Sequence, residues 1–595
     1  MLTLLTTLLC WGIPSPHPAR AEPTAVAATT VGDDKPLKAL DAWLKLYRAG
    51  KLDFRSREDI GKDSLAMKFG LAPKNGLGTP TWAGDLEVIL EAVAKLDTPE
   101  AAHALLEVAA IGFDQGKAPL SMAPLEVRAA GERWLVKLQA SPARAELAKA
   151  ACGELKVEKS RASATRLAGV RALGQLQDTT FRPVLERLLA DADELVRAQA
   201  VESLGRFGDD TAAKALVALL ERPTETGDPV LAALAETLRT LYGKLAAPAA
   251  GASAKAGSPD PKPEDAATPP LPDSVRAAVR ASAAALGRAS WRADMALVRL
   301  LDEFRSPESI PALIGVLERF AAHPDEVKAG KQSGLLQSQA HEALVSMTGA
   351  VIPADQPEKW RAFWDSEKSK VAVQPKREKK AAGGTSAATF CGIPVLGTRV
   401  VFVLDLSGSM RWPMEEQGTD AKRKQAMRLD FAKRELHNAI DALASNATFN
   451  LVTFNGNPKP EVWSKDLVPA NERNRDRFRK YVDDLRADGG TNLWSGLDEA
   501  LKIRSQVQGQ RYGANIDELF VLSDGAPNLG DVIDPVEILR VVQETNRLAR
   551  VRINTIFISS ATPAEFRQAE DKASMTPQNL MRKLAEQNGG QFREL

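Results

Sequence analysis

Cysteine and histidine are scarce in this chain of 595 residues. The three cysteines, Cys10, Cys152 and Cys391, form no C-x-x-C pair, so the sequence argues against a structural zinc site. A disulfide between Cys152 and Cys391 is compatible with the sequence, which does not assign it, and the pattern favours buried free thiols. The five histidines are scattered, and none stands in an H-E-x-x-H or similar metal-ligand spacing.

Net charge is almost absent as well, because 78 basic residues and 77 acidic residues give a formal charge of +1. No global field therefore draws the chain to nucleic acid or to an anionic membrane. Aromatic residues make up only 5% of the chain. Together with abundant alanine, this composition favours helical regions that pack through small residues. A chain of this length is too long for one core, so we expect two to four domains.

Long apolar runs are absent apart from one short stretch at the N-terminus. Leu2 to Ile13 is apolar, a Pro-Ser-Pro segment ends it, and Ala19-Arg20-Ala21 forms a small-x-small cleavage signature. We interpret residues 1–21 as a signal peptide, although no basic residue precedes the apolar run. The run is too short for a membrane span. We therefore predict export to a periplasm or to the extracellular space if this leader is real, and a cytoplasmic location otherwise.

An internal repeat dominates residues 36–243, which follow a tether at residues 22–35 that we expect to be disordered. Val170-Arg171-Ala172-Leu173-Gly174 recurs 31 positions later as Val201-Glu202-Ser203-Leu204-Gly205. Between the two lies an acidic turn, followed by a helix whose apolar residues recur at helical spacing. Such helices cannot bury an apolar face alone and therefore stack on their neighbours. The pattern resembles HEAT repeats and predicts an α-solenoid.

Two segments of low complexity interrupt the chain after this repeat. Residues 244–272 are rich in Pro, Gly, Ala and Ser, and we expect a disordered linker there. Helical patterns resume over residues 273–365, which we assign to further HEAT-like helices with an aromatic cap around Trp360. Residues 366–389 form a second linker, whose basic residues are typical of a solvated segment and not of a nucleic-acid site.

From residue 390 onwards, predicted strands alternate with predicted helices. This alternation indicates a largely parallel sheet with helices on both faces, that is, a doubly wound α/β domain over residues 390–595. The predicted strands are residues 399–405, 447–454, 518–524, 551–558 and 591–595, with a short edge strand near Val462. The predicted helices are residues 421–444, 471–486, 494–504, 535–549 and 576–587.

Polar side chains stand where the first of these strands ends. Val400 to Leu404 is an apolar run that stops at Asp405, and Ser407 and Ser409 follow at alternate positions. The ligand crevices of open α/β sheets lie outside the carboxyl ends of the strands. One carboxylate and two hydroxyls, on a loop that Gly408 allows to turn tightly, are suitable oxygen ligands for a hard divalent cation.

Two later segments carry matching groups. Residues 488–492 form a glycine-rich loop that presents the hydroxyl of Thr491 just before a helix, and an apolar run over residues 519–522 ends at Ser523-Asp524-Gly525. With these three segments in this order, the region from about residue 392 to residue 595 resembles a von Willebrand factor A domain. The residues that match the metal-ion-dependent adhesion site of that family are Asp405, Ser407, Ser409, Thr491 and Asp524.

The resemblance implies a bound Mg²⁺ ion, or a Mn²⁺ ion in its place. Ser407 and Ser409 would bind the ion directly, and Thr491 would bind it directly or through water. Asp405 and Asp524 would act largely through bound water. Because the protein supplies few direct negative charges, the ion would seek an Asp or Glu carboxylate of a protein partner. We therefore predict a metal-dependent protein-binding or adhesion protein, with the helical solenoid as a second interaction surface.

No motif in the sequence favours catalysis. The chain lacks the G-x-S-x-G motif, a phosphate-binding P-loop and a dinucleotide fingerprint, and no histidine lies near Ser407 or Ser409 in the sequence to act as a base. We therefore predict no enzymatic activity and no catalytic residues. Two alternatives stay open: a structural scaffold with a vestigial metal site, and a hydrolase that uses the bound metal.

Overall fold

The computed structural model describes ten segments of the chain: residues 34–52, 54, 58–71, 81–111, 124–246, 271–374, 388–414, 427–503, 516–558 and 575–595. The predicted signal peptide, nearly all of the predicted tether and most of both predicted linkers lie outside these segments. Among the helices in the described segments, none combines the length and the apolar composition needed to cross a bilayer.

A helical region comes first and an α/β region follows it. The helices of the first region are α1 (Lys35–Arg48), α2 (Leu65–Lys68), α3 (Trp82–Leu96), α4 (Pro99–Ala109), α5 (Pro124–Leu135), α6 (Ser141–Cys152), α7 (Ala162–Leu176), α8 (Arg182–Leu188), α9 (Glu194–Gly205), α10 (Asp210–Leu220), α11 (Asp228–Ala246), α12 (Asp273–Ala285), α13 (Trp291–Glu303), α14 (Ile310–Ala322), α15 (Pro324–Lys328), α16 (Gly334–Thr348) and α17 (Pro357–Glu367).

The second region contains both strands and helices. Its elements are β1 (Thr389–Phe390), β2 (Ile393–Pro394), β3 (Arg399–Asp405), α18 (Arg428–Ala442), β4 (Thr448–Phe454), β5 (Glu461–Val462), β6 (Val468–Pro469), α19 (Glu472–Asp484), α20 (Leu493–Leu501), β7 (Glu518–Ser523), α21 (Pro535–Ala549), β8 (Arg552–Phe557), α22 (Pro577–Gln587) and β9 (Phe592–Glu594).

The helices of the first region pack as pairs, and the pairs stack into two layers. Helices α4 and α5, α6 and α7, α8 and α9, and α10 and α11 form successive pairs. The second helices of the pairs, α5, α7, α9, α11, α13 and α16, stack on one another, and we call them the inner layer. Each pair therefore buries its apolar faces against its neighbours, which confirms the solenoid predicted from the sequence repeat.

The glycine that ends each sequence repeat allows inner-layer helices to approach closely. A Cβ atom on Gly174 would lie 2.5 Å from Oγ of Ser203, and a Cβ atom on Gly205 would lie 2.1 Å from Cγ2 of Thr237. Carbon atoms in a close-packed interior do not tolerate such distances, so any larger residue would push the helices apart. The repeated glycine thus reflects a packing requirement of α7 against α9, and of α9 against α11.

The substitution Gly174→Ala is expected to destabilise the chain by about 1 to 3 kcal/mol, because the added methyl group overpacks the contact with Ser203. Urea-induced unfolding followed by circular dichroism measures this change. Gly315→Ala in α14 is the matched control, since a Cβ atom there meets no other atom within 4 Å. We expect that control to be neutral or to gain up to about 1 kcal/mol from helix propensity. Equal losses for both variants would contradict the packing explanation.

The α/β region is built on a sheet with the strand order β5-β4-β3-β7-β8-β9, and β6 also pairs with β4. Strands β4, β3, β7, β8 and β9 run parallel, whereas β5 and β6 run antiparallel to β4. The chain goes from β3 to β4 on one side and returns to β7 on the other side, so the strand order reverses at β3. Such a reversal is the usual position of a ligand crevice in open α/β sheets.

Alternate residues along the central strand β3 face opposite sides of the sheet. Val401 and Val403 join an apolar cluster with α20, α21 and α22. Phe402 and Leu404 join a second cluster, with α18 and α19, on the other face. Because helices cover both faces, the central strand is a continuous apolar run, and the predicted doubly wound fold is confirmed.

Three details differ from the sequence predictions or refine them. The helix predicted from residue 421 is described from Arg428, since residues 415–426 lie outside the described segments. Strands β1 and β2, which no sequence pattern predicted, pair as a short antiparallel ribbon ahead of β3. Cys152 and Cys391 are both free thiols, of which Cys391 is buried and Cys152 is partly exposed.

The inner layer also contacts the base of the sheet, where the parallel strands begin. Arg292 in α13 donates hydrogen bonds to the backbone oxygens of Ala549, at 2.7 Å, and Ile516, at 3.3 Å. Ser333, which precedes α16, donates to Asp517 at 3.0 Å. The solenoid surface that we predicted to serve partners is therefore used in part to hold the α/β region of the same chain.

Ion pairs extend this contact along α21. Arg128 and Arg171 lie 3.3 Å and 3.7 Å from Glu544, and Arg547 pairs with Glu202 at 2.5 Å. Burial by itself raises the pKa of Glu544, but the charges of the neighbouring arginines, that of Arg128 most of all, outweigh it and lower the pKa to about 2. The ionised form of Glu544 thus stabilises the contact between the two regions.

Acid is expected to loosen this contact. The pKa of Glu544 rises from about 2 in the native chain to its ordinary value of 4.5 in the unfolded chain. The stabilisation is therefore fully present above about pH 4.5 and is lost as the pH falls towards about 2. Small-angle X-ray scattering between about pH 7 and about pH 3 should show the radius of gyration of the wild-type chain rising on acidification. The radius of gyration of Glu544→Gln should rise less on acidification than that of the wild type. If the radius of gyration depended on pH in the same way for both proteins, the effect could not be assigned to Glu544.

Candidate metal centre

Asp405, the last residue of β3, is fully buried at the carboxyl end of the sheet, with 0% of its surface exposed. Its Oδ1 accepts a hydrogen bond from the backbone N–H of Ser407 at 2.7 Å, and its Oδ2 accepts one from the hydroxyl of Ser523 at 2.6 Å. Burial and, to a smaller extent, the charge of Asp524 raise the pKa of Asp405 to about 7. A cation nearby would oppose this shift and favour the carboxylate.

The hydroxyls of the two serines that follow β3 face each other, and that of Ser409 also meets Asp524. Oγ of Ser407 and Oγ of Ser409 are 3.1 Å apart. The hydroxyl of Ser409 donates to Oδ1 of Asp524 at 2.8 Å, across 115 positions of sequence. The loops after β3 and β7 therefore bring three of the predicted residues into one hydrogen-bonded chain.

Thr491, on the loop before α20, borders the same space. A Cβ atom added to Gly525 would lie 3.7 Å from Oγ1 of Thr491 and 4.0 Å from Oγ of Ser409. The absence of a side chain at Gly525 thus leaves room between these two hydroxyls, next to Asp524. The structure brings together all five residues predicted from the sequence.

Hydrogen bonds between the loops hold this arrangement. The backbone N–H of Gly408 donates to the carbonyl of Gly489 at 2.9 Å. Oδ1 of Asn528 accepts from the backbone N–H of Thr491 at 2.9 Å, and the N–H of Asn528 donates back to the carbonyl of Thr491 at 3.0 Å. The sequence analysis missed Asn528, because a lone asparagine four residues after the strand-end aspartate belongs to no motif. Asn528 positions Thr491.

Arg428, the first residue of α18, is the second functional residue that the sequence analysis missed. Its side chain is fully buried, and its Nη1 donates to Oδ2 of Asp524 at 2.5 Å. The guanidinium group also lies 5.1 Å from the ring centroid of Trp412. Burial raises the pKa of Asp524, and the charge of Arg428 opposes that shift. The helix predicted from residue 421 had placed Arg428 well inside the helix, away from the end that meets the site.

The residues present fit a hard divalent cation. Two carboxylates and three hydroxyls form an all-oxygen donor set that suits Mg²⁺ or Mn²⁺, whereas the nitrogen and sulfur ligands that Zn²⁺ favours do not occur in it. Within the described segments, no group of three or more His, Cys, Asp and Glu side chains converges. A cation at this centre would therefore depend on hydroxyl ligands more than on carboxylate charge.

Comparisons with known proteins identify both regions of the chain. Residues 155–239 match HEAT repeats, and residues 400–590 match the von Willebrand factor type A domain. Inter-alpha-trypsin inhibitor heavy chain 4 of Mus musculus is 28% identical over 154 residues, which make up 26% of this chain and 14% of that protein. Heavy chain H1 of Bos taurus is 28% identical over 151 residues, or 25% of this chain and 15% of that protein. The matched part thus spans only about a seventh of these relatives.

Solved structures give a weaker likeness. A von Willebrand factor type A protein from Catenulispora acidiphila is 21% identical with a TM-score of 0.24, over 33% of this chain and 38% of that chain. At this level the structural likeness supports no functional conclusion. The family matches and the observed fold together show that this chain contains a von Willebrand factor type A domain over residues 400–590, preceded by HEAT repeats over residues 155–239.

Proposed function

We propose that this chain is a non-enzymatic protein that binds partner proteins through a divalent cation held at the candidate metal centre. The main support is the convergence of two carboxylates and three hydroxyls where the strand order reverses at β3. The relatives are named as heavy chains of an inter-alpha-trypsin inhibitor, and a role in protein interaction agrees with those names.

Each group of the centre has a distinct task in this proposal. Ser407, Ser409 and Thr491 supply hydroxyl oxygens to Mg²⁺ or Mn²⁺. Asp405 and Asp524 orient those hydroxyls and hold water bound to the ion. The ion, when bound, supplies an electrophilic coordination position that accepts an Asp or Glu carboxylate of a partner. Asp405 and Asp524 act mainly through bound water and so add little direct negative charge to the ion. The open coordination position of the ion therefore strongly prefers an external anion.

The contacts of Asp524 favour binding over hydrolysis. A serine nucleophile needs a base that is free to take its proton. Asp524, the carboxylate that accepts from Ser409, also accepts the charged hydrogen bond of Arg428. Burial raises the pKa of this carboxylate, and the charge of Arg428 opposes that rise and holds the carboxylate in an ion pair. Ser409 is therefore better suited to ligate a cation than to attack a substrate.

The remaining surface of the solenoid is proposed as a second contact surface for partners, because the inner layer is partly used by the α/β region. Export to a periplasm or to the extracellular space is proposed from the N-terminal leader sequence.

Isothermal titration calorimetry of the full chain with Mg²⁺, and separately with Mn²⁺, tests the proposal. We expect one cation per chain, bound at least about tenfold more weakly by Ser409→Ala than by the wild type. Ser366→Ala, which removes an exposed hydroxyl of the helical region, is the matched control and should bind as the wild type does. The absence of cation binding by the wild type, or equal binding by Ser409→Ala, would overturn the proposal.

Capture of partners from the source organism then extends the test. Immobilised wild-type chain should retain a partner in Mg²⁺ and release it in EDTA, and Ser409→Ala should not retain it. A partner held equally in EDTA, and equally by Ser409→Ala, would support the scaffold alternative in which the metal centre is vestigial.

A further inference from the structure

We propose that Arg428 is a fixed counter-charge that makes the loaded metal centre net positive, which weakens its hold on the cation and strengthens its hold on an external carboxylate. The inference rests on the proposed function and assigns to Arg428 a positioning and charge-setting role at that centre. It concerns a residue that lies outside the five-residue motif.

The geometry places Arg428 behind Asp524 as seen from the hydroxyl ligands. The two oxygens of Asp524 have different partners: Oδ1 accepts from Ser409 at 2.8 Å, and Oδ2 accepts from Nη1 of Arg428 at 2.5 Å. Arg428 therefore leaves the oxygen that faces the hydroxyls available to a bound cation or its water.

The surroundings of Arg428 keep its charge in place. None of its surface is exposed, and it lies beside Trp412, whose ring centroid is 5.1 Å from the guanidinium carbon. Its backbone N–H donates to the carbonyl of Trp412 at 3.0 Å, at the point where α18 begins. An arginine stays protonated in proteins, so this position holds a permanent positive charge.

The charge count follows from these groups. Among the charged groups of the centre that the structure describes, Asp405 and Asp524 contribute two negative charges and Arg428 one positive charge, so a bound divalent ion brings their sum to about +1. Without Arg428 the same described groups would sum to zero. Arg411 and Asp488 form an ion pair at 3.6 Å on the exposed rim, and they cancel each other in solvent.

One buried charge acts in opposite directions on the two ligands of the centre. The guanidinium repels the cation and attracts the partner's carboxylate, and both effects are strong where water is excluded. If Arg428 had a purely structural role, its replacement would instead change the affinities for the cation and for the carboxylate in the same direction, or change neither. Opposite changes in the two affinities are therefore the signature of this inference.

The test measures both affinities on the full chain. Electron paramagnetic resonance of free Mn²⁺ gives the cation affinity, and water-proton relaxation of the Mn²⁺-loaded chain during a glutarate titration gives the carboxylate affinity. Arg428→Gln keeps a hydrogen-bond donor towards Asp524 but removes the charge. We expect it to bind Mn²⁺ about tenfold or more tightly than the wild type, and glutarate about tenfold or more weakly.

Two further variants complete the comparison. Arg428→Lys keeps the charge and should restore both affinities towards those of the wild type. Arg434→Gln removes the same charge from an exposed position of α18 and should change neither. Weaker or equal Mn²⁺ binding by Arg428→Gln, while the wild type binds Mn²⁺, would overturn this inference and leave the proposed function intact. No Mn²⁺ binding by the wild type would overturn both.

Arg428→Gln leaves the buried carboxylate of Asp524 without this charge partner, which can prevent folding. A second comparison therefore removes the charge of Asp524 as well. In the double variant Arg428→Gln/Asp524→Asn, both members of the pair are uncharged. It should bind Mn²⁺ about tenfold or more tightly than Asp524→Asn alone, because the repulsion from Arg428 is gone. Equal or weaker binding by the double variant would overturn the inference.

Discussion

In EDTA at about pH 8, Asp405→Asn is expected to be more stable than the wild type, and saturating Mg²⁺ is expected to narrow that difference by stabilising the wild type alone. Burial and the charge of Asp524 raise the pKa of Asp405 to about 7. The ionised carboxylate therefore costs the metal-free fold free energy, which an asparagine of the same shape avoids. A bound cation turns the same negative charge into a favourable interaction.

The size of this effect follows from the linkage between pKa and stability. The pKa of Asp405 is raised from 3.8 to about 7 on folding, and each pKa unit corresponds to about 1.4 kcal/mol, so the cost above pH 7 is about 4 kcal/mol. A group with a raised carboxyl pKa binds its proton more readily in the folded state. The metal-free wild type should therefore gain stability as the pH falls from about 7 to about 4, and Asp405→Asn should not.

Thermal unfolding of the full chain, with and without Mg²⁺, measures both parts of this prediction. At a Mg²⁺ concentration of about 100 times the dissociation constant, the wild type should gain about 2.7 kcal/mol, and Asp405→Asn should gain little. Asp430→Asn, at an exposed position of α18, is the matched control and should follow the wild type. Parallel responses of the wild type and Asp405→Asn to Mg²⁺ would exclude Asp405 from the metal centre.

Asp517→Ala is expected to cause the largest loss of stability among the variants considered, about 3 to 5 kcal/mol, because it leaves a buried arginine without its acidic partner. Asp517 lies just before β7 and has 0% of its surface exposed. The side chain of Arg399 donates to it through two nitrogens, one of them Nε at 2.9 Å. The hydroxyls of Thr398 and Ser333 donate to it at 3.0 Å each.

Asp517 therefore connects three parts of the fold: the start of β3, the start of β7 and the N-terminal end of α16 in the solenoid. Its loss should also loosen the contact between the helical region and the α/β region. Chemical unfolding of the full chain measures the stability, and limited proteolysis between the two regions measures the contact. Asp484→Ala removes an exposed carboxylate of α19 and serves as the control. A loss below about 1 kcal/mol for Asp517→Ala would show that this network contributes little.

The five candidate ligands could be predicted from the sequence because each stands next to a strong local pattern. Asp405 and Asp524 each follow an apolar strand, and Thr491 follows two glycines ahead of a helix. The carboxyl ends of parallel neighbours must lie at one edge of the sheet. The parallel order of the strands therefore predicts that Asp405 and Asp524 lie close together, and the resemblance to the von Willebrand factor A domain supplied the full set of five residues.

Arg428 and Asn528 could not be predicted in the same way. Arg428 is one of many arginines in the chain, and only the start of α18 beside Asp524 gives it a role. Asn528 acts through a pair of hydrogen bonds to the backbone of Thr491, which no side-chain pattern reports. Both residues act through neighbours that are distant in the sequence.

The sequence by itself determined the two kinds of architecture and, through the resemblance to the von Willebrand factor A domain, the candidate ligand set, because hydrophobic period, repeat spacing and strand-end motifs are local properties of the chain. The tertiary structure alone decided which charges surround those ligands and which solenoid surface meets the sheet. These depend on contacts such as Arg428 with Asp524 and Ser333 with Asp517. A single buried ion pair or hydrogen bond leaves no periodic trace along the chain, since only the folded packing brings its two members together.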